Sequence, residues 1–283
     1  MCSWQDIMQC FDPIALTIGS FQIHWYALCF LLAWAVAWGV TLFFERKDEA
    51  HRLLRVEEWQ DLFWWLLLGA FVGARVGFAL FYEPTFFWQH LETLFLPYDF
   101  VSETFVPFRG MSFHGGILGV AVVLGLWSYQ KKMNLFLLTD RLVLVAPVVS
   151  LFGRLGNFLN QELPGRVTES LLGVRFPGEA VLRHPATLYS LVFEGVFLFL
   201  WLQWWKKSCP KPGTLTSLYL FSYGIVRFAL EYFREPDSGV ALGWDILTRG
   251  QVLSLGMIFG AVLVWFWSSK RAQWDNFKSI PEK

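Results

Sequence analysis

The 283-residue chain is 55% hydrophobic and only 16% charged, with 23 basic and 23 acidic residues, whereas soluble domains carry about 25% charged residues. That composition excludes an ordinary soluble enzyme, and the absence of a basic surplus gives no reason to expect nucleic acid as a partner. A membrane protein remains.

Seven apolar stretches, at 20–44, 59–82, 111–130, 135–153, 185–205, 214–233 and 250–268, approach the roughly 20 residues needed to cross a bilayer. Joined by mostly short loops, they predict an all-α integral membrane protein: one polytopic domain over 1–283, a bundle of seven transmembrane helices. All nine lysines follow the odd-numbered helices, at Lys47, Lys131, Lys132, Lys206, Lys207, Lys211, Lys270, Lys278 and Lys283. The excess of positive charge marks the cytoplasmic side, so the N-terminus is expected outside and the C-terminus inside. Outer loops 83–110 and 163–184 are long enough to form a small cap.

The N-terminal segment shows no cleavable signal peptide, and Cys2 and Cys10 are expected as free thiols, with a pair between them the alternative. His24, Trp25 and Tyr26 open the first helix. In the second, Gly69, Gly73 and Gly77 recur every four residues, a spacing that admits a close neighbour helix, while Arg75 lies off that face. The third opens MSFHGG, leaving His114 beside two glycines. Tryptophans near predicted helix ends, among them Trp59, Trp64, Trp65, Trp88, Trp204, Trp244, Trp265 and Trp267, read as interfacial anchors.

The fourth stretch is interrupted by Asp140 and Arg141, should kink at Pro147, and runs into GRLGNFLNQELPGR from Gly153. Charged groups at membrane depth cost about 2.5–3.5 kcal/mol unless paired or facing a polar cavity, so this cluster is a candidate site. On a continued helix, Arg154, Asn157 and Gln161 would share one face. The sixth stretch puts Tyr223, Arg227, Glu231 and Arg234 on one polar stripe, with Arg227 and Glu231 spaced to pair. The outer and embedded positions contain arginine without lysine, including Arg109, Arg166, Arg175 and Arg183, and arginine grips phosphate as a bidentate fork.

Neither a metal-ligand spacing, nor a paired-aspartate motif, nor a nucleophile motif of the G-x-S-x-G kind is present. No metal or other cofactor is expected. An enzyme built this way would use arginine to hold phosphate charge and would take its nucleophile from a substrate. A lipid or anion transporter would also suit seven helices with embedded arginines, although the internal repeat common in transporters is missing. An intramembrane protease is the third reading.

The motifs HWYAL at His24, GARVGFALFY at Gly73, MSFHGG at Met111, GRLGNFLNQELPGR at Gly153, RHPATLY at Arg183, YGIVRFALEYFREPD at Tyr223 and GQVLS at Gly250, in this order, resemble the bacterial prolipoprotein diacylglyceryl transferase family. The resemblance implies transfer of diacylglyceryl from phosphatidylglycerol to the lipobox cysteine of a prolipoprotein signal peptide, at the outer side of the bacterial inner membrane, leaving glycerol phosphate. It also implies roles. Arg154, Asn157, Asn160, Glu162 and Gly165 would hold the lipid headgroup, Arg227 would be the second essential arginine, and His114 would be the base. Tyr26, Tyr223 and Glu231 would line the cavity. Two positions depart from the family pattern, Pro164 before Gly165 and Ser190 where many relatives carry glutamate, although Glu194 remains nearby on the same helix face.

Overall fold

The computed structural model describes residues 3–19, 21–47, 52–90, 94, 98–99, 104–105, 110–209, 211–235 and 247–270, the side chains of Phe21, Gln89, Tyr98, Asp99, Thr104, Phe105, Phe113, Ser269 and Lys270 excepted. Cys2, Arg109, Trp244, Lys278, Lys283 and much of the 83–110 loop lie outside the described residues. The helices are α1 (Trp25–Lys47), α2 (Val56–Phe81), α3 (Pro84–Gln89), α4 (Phe113–Gln130), α5 (Leu135–Val143), α6 (Ala146–Leu159), α7 (Ala186–Ser190), α8 (Leu198–Trp205), α9 (Thr214–Leu230) and α10 (Arg249–Lys270). A π-helical turn, Leu191–Phe197, joins α7 to α8. Two small antiparallel hairpins are β1 (Ile14–Ile18) with β2 (Phe21–His24), and β3 (Tyr98–Asp99) with β4 (Thr104–Phe105).

All seven apolar stretches are thus helical, and the protein is a mostly helical, multi-pass membrane protein. Among the described residues, four helices are long and apolar enough to cross a membrane, or five if the bent pair of α5 and α6 counts as one span; Thr214–Leu230 is a shorter apolar helix. Large apolar side chains face outward along these helices, Leu31, Phe43, Leu68 and Leu263 among them, as lipid-facing surfaces require.

Details differ from expectation for local reasons. The first helix starts at Trp25, because Phe21–His24 pairs with Ile14–Ile18 as a strand. The fourth stretch bends by 46° between α5 and α6, and Pro147 stands in the first turn of α6, where its missing N–H costs nothing. Asp140 is no accident of that break: it accepts from Gly213 N (2.7 Å), Thr216 N (2.8 Å) and Thr216 Oγ1 (2.6 Å), capping the start of α9. Trp59 is fully buried rather than interfacial, whereas Trp64, Trp65, Trp88, Trp204, Trp265 and Trp267 are exposed.

The chain divides into two compact units, Glu45–Leu138 and the remainder. Within Glu45–Leu138, α2 and α4 meet along a seam of glycines. A Cβ on Gly73 would strike the Gly115 carbonyl, and one on Gly77 would lie 2.7 Å from Gly115 Cα. Arg75, beside that seam, donates Nε to Leu94 O (2.8 Å) and Nη1 to Gly110 O (3.1 Å), and lies over the Phe87 ring. It ties down the loop that follows α3.

In the other unit, α9 packs on α10, where Ser217 Oγ donates to Ala261 O (2.8 Å) and Gly224 leaves room for Ile258. The N-terminal segment, a 3-10 helix over Trp4–Gln9, docks on the 163–184 loop: Met8 is buried with Phe158, Val174 and Phe176. Arg175 N donates to Gln5 O (2.7 Å), and the Arg175 guanidinium pairs with Asp6. Cys10 is disulfide-bonded, a correction to the expected free thiol, while Cys29 and Cys209 are free.

Candidate active site

Helix α6 continues through Gly153 to Leu159, so Arg154 and Asn157 are helical residues in a bundle, not part of an exposed hairpin. Arg154 Nε donates to Glu194 Oε2 at 2.9 Å, and Glu194, from the π-helical turn, has a fully buried side chain. Ser150 Oγ (3.2 Å) and the Tyr223 hydroxyl (3.5 Å) approach the same carboxylate oxygen. A carboxylate in a site this dry is tolerable because it is paired and hydrogen-bonded. Nε is committed to Glu194 and the Tyr223 hydroxyl also bonds the guanidinium, whose remaining N–H donors border the cleft described below.

Arg227 and Glu231 pair as their spacing predicts: Arg227 Nη2 is 2.6 Å from Glu231 Oε2, a close ion pair rather than a directed hydrogen bond. Thr248 Oγ1 donates to the other oxygen of Glu231 (3.1 Å). A Cβ at Gly250 would lie 2.5 Å from that carboxylate, so glycine there lets the start of α10 close over it.

These groups converge on a small cleft. Arg154, Arg227 and Arg234 line it, together with Thr187 and Ser190 from α7 and the apolar Leu163, Ala186 and Leu230. Three guanidiniums and two hydroxyls around one opening suit an anion whose oxygens accept several hydrogen bonds, a phosphate above all.

The rest of the expected signature closes on itself. Asn157 Nδ2 (2.9 Å) and Asn160 Nδ2 (3.1 Å) both donate to Glu162, and Asn160 Oδ1 accepts from Tyr26 N (3.0 Å). The Tyr26 ring lies against Gly156, where a Cβ would come within 3.0 Å. Gln161 does not extend the helical face of Arg154. The helix ends at Leu159, Gln161 takes φ +59°, and its amide instead reaches Met8 O (2.6 Å) and Phe11 O (3.0 Å) on the N-terminal segment. Gly165 is clamped between two segments. A Cβ on it would collide with the His184 carbonyl, and its neighbours bond across, Arg166 N to Phe233 O (2.9 Å) and Glu235 N to Pro164 O (3.2 Å). Arg183, outside the spanning segments, is held above its ordinary pKa by hydrogen bonding to Glu179 and by Glu235, and it donates to Gly165 O.

His114 is exposed in the first turn of α4, in the Glu45–Leu138 unit. All the other expected site residues belong to the second unit. Among the described residues no group of three or more His, Cys, Asp or Glu could hold a metal ion. Sequence reasoning noted Glu194 only as a carboxylate near Ser190 on the same helix face and did not pair it with Arg154, although a lone carboxylate in the apolar stretch 185–205 was the available signal. Thr187 gave no signal.

A profile of the family described as prolipoprotein diacylglyceryl transferase matches residues 13–267. Among curated proteins, the chain is 38% identical over 275 residues to the phosphatidylglycerol–prolipoprotein diacylglyceryl transferase of Campylobacter curvus, covering 95% of this chain and 98% of that one. The protein of the same name from Helicobacter pylori strain P12 is 36% identical over 288 residues, covering 100% and 99%. That of Helicobacter acinonychis is 34% identical over 288 residues, covering all of both chains. With a family profile across most of its length and relatives of this identity end to end, the chain belongs to the prolipoprotein diacylglyceryl transferase family.

Proposed function

We propose that the chain transfers the diacylglyceryl group of phosphatidylglycerol to the lipobox cysteine thiol of prolipoproteins, the first step of lipoprotein maturation. The observation that carries the chemistry is that Arg154 and Arg227, each anchored by a buried carboxylate, line one cleft. The thiol loses its proton, the sulfur attacks the diacylglyceryl methylene, and the carbon–oxygen bond to phosphate breaks, giving a thioether and glycerol phosphate. Charge grows on the departing phosphate as that bond lengthens. Fixed guanidiniums in a dry site stabilise that charge without reorganising. Glu194 and Glu231 hold the two heads in place, and the thiol is the nucleophile the chain itself lacks. The base role is assigned to His114 on its motif alone.

Asn157, Asn160, Glu162 and Gly165, with Tyr26, shape the loop over the cleft, and Tyr223 steadies Glu194. The chain acts as one polytopic domain in the bacterial inner membrane with seven crossings, N-terminus outside, and the site toward the outer side beneath a cap from loops 83–110 and 163–184. The lysine distribution supports that orientation, as does a disulfide-bonded Cys10, since disulfides persist in oxidising compartments. Incubating the purified protein with labelled phosphatidylglycerol and a lipobox peptide tests the reading. The expected product is a full-length peptide heavier by one diacylglyceryl group; an unmodified or cleaved peptide overturns it.

A further inference from the structure

Among the residues that line the cleft, Thr187 is 3% exposed and carries a buried hydroxyl, Oγ1, with no hydrogen-bond partner among the described residues. A hydroxyl early in a helix commonly bonds back to the carbonyl three or four residues before it. Here it bonds neither: the Arg183 carbonyl accepts from Val174 N (2.9 Å) and the His184 carbonyl from Ala186 N (2.8 Å). Thr187 instead lines the cleft with Arg154, Arg227 and Arg234. An unmet buried hydroxyl is costly to a fold, and a valine of the same shape would avoid the cost.

We infer that Thr187 is a substrate-contacting residue, whose hydroxyl donates a hydrogen bond to a phosphate oxygen of the lipid headgroup held in the arginine cleft. The three guanidiniums offer only N–H donors, and phosphate oxygens only accept, so one more donor at the wall completes the match. The inference rests on the proposed reading that this cleft holds the substrate phosphate.

It predicts that activity and stability move in opposite directions. In the purified full-length protein, Thr187→Val should lower kcat/KM for phosphatidylglycerol about tenfold, the loss expected for one hydrogen bond to a charged acceptor, while Thr187→Ser stays within about threefold of the parent. The Tm of the valine variant should equal or exceed that of the parent. Glycerol 1-phosphate serves as a soluble probe, and its dissociation constant, measured by calorimetry, should rise by a similar factor in the valine variant. Unchanged kcat/KM and unchanged probe affinity overturn the inference, as does a loss of activity that merely tracks a fall in Tm. A parent protein that lipidates no peptide would instead overturn the proposed function, and probe binding by parent and variant would still test Thr187.

Discussion

The two arginine–carboxylate pairs at the cleft are built differently. Arg227 and Glu231 lie one turn apart at the end of α9, and Thr248 with the bare backbone at Gly250 closes over them. Arg154 and Glu194 stand 40 residues apart, on α6 and on the π-helical turn, with Ser150 and Tyr223 on the same carboxylate. The first pair satisfies its own helix. The second fastens separate elements together, so its carboxylate belongs to the fold as much as to the site.

The largest expected effects are on turnover. Arg227→Ala should be inactive at every pH, because it removes leaving-group stabilisation and strands Glu231. His114→Gln should keep measurable activity that rises with pH as more thiolate forms unaided, since a general base contributes about 10²- to 10⁴-fold. A pH–rate profile of both variants on a lipobox peptide measures this; a dead His114→Gln at high pH beside an active Arg227→Ala would reverse the roles. Next, Arg154→Lys should be nearly as damaging as Arg154→Ala. The planar guanidinium can hold Glu194 and Tyr223 and still present N–H donors to phosphate, whereas lysine keeps the charge without that planar set of donors. Substantial turnover by the lysine variant would reduce the site to simple charge.

The comparison between the pairs sharpens through their carboxylates. Removing one partner of a buried pair costs about 3–5 kcal/mol, and Glu194→Ala should show that loss because it also releases Ser150 and Tyr223. Glu231→Ala should destabilise less while still reducing turnover. Equal shifts in denaturation midpoint would mean that the cross-element pair holds nothing extra. The smallest effect lies outside the membrane. Hydrogen bonds from Ser3 and Arg175 hold the Asp6 carboxyl below its ordinary value, which is about 3.9. Docking of the N-terminal segment should therefore be fully supported above that value and weaken as pH falls through the lowered one. Protease protection of that segment should lose this acid dependence in Asp6→Asn, and a profile unchanged by the substitution would free Asp6 of any part in docking.

Legibility followed the range of each interaction. Arg227 and Glu231 could be read from an i, i+4 spacing on one helix, and the glycine seam of α2 from its four-residue repeat. Arg154 with Glu194 could not, because nothing local links two residues on different elements. Gln161 was misassigned because the helical period was carried past Leu159, where the chain turns into positive φ. Trp59 was taken for an anchor on position alone, and packing buried it.

The π-helical turn has a consequence for the numbering of the chain itself. An i→i+5 turn takes up one residue more than an α turn between the same two faces. Residues 191–197 therefore carry a surplus letter, and the frame of Thr187 and Ser190 upstream is offset by one from that of the buried Leu198 and Leu202 downstream. Glu194 sits within that surplus. Any alignment that deletes a letter here leaves both flanks in step and erases the place from which Arg154 is held.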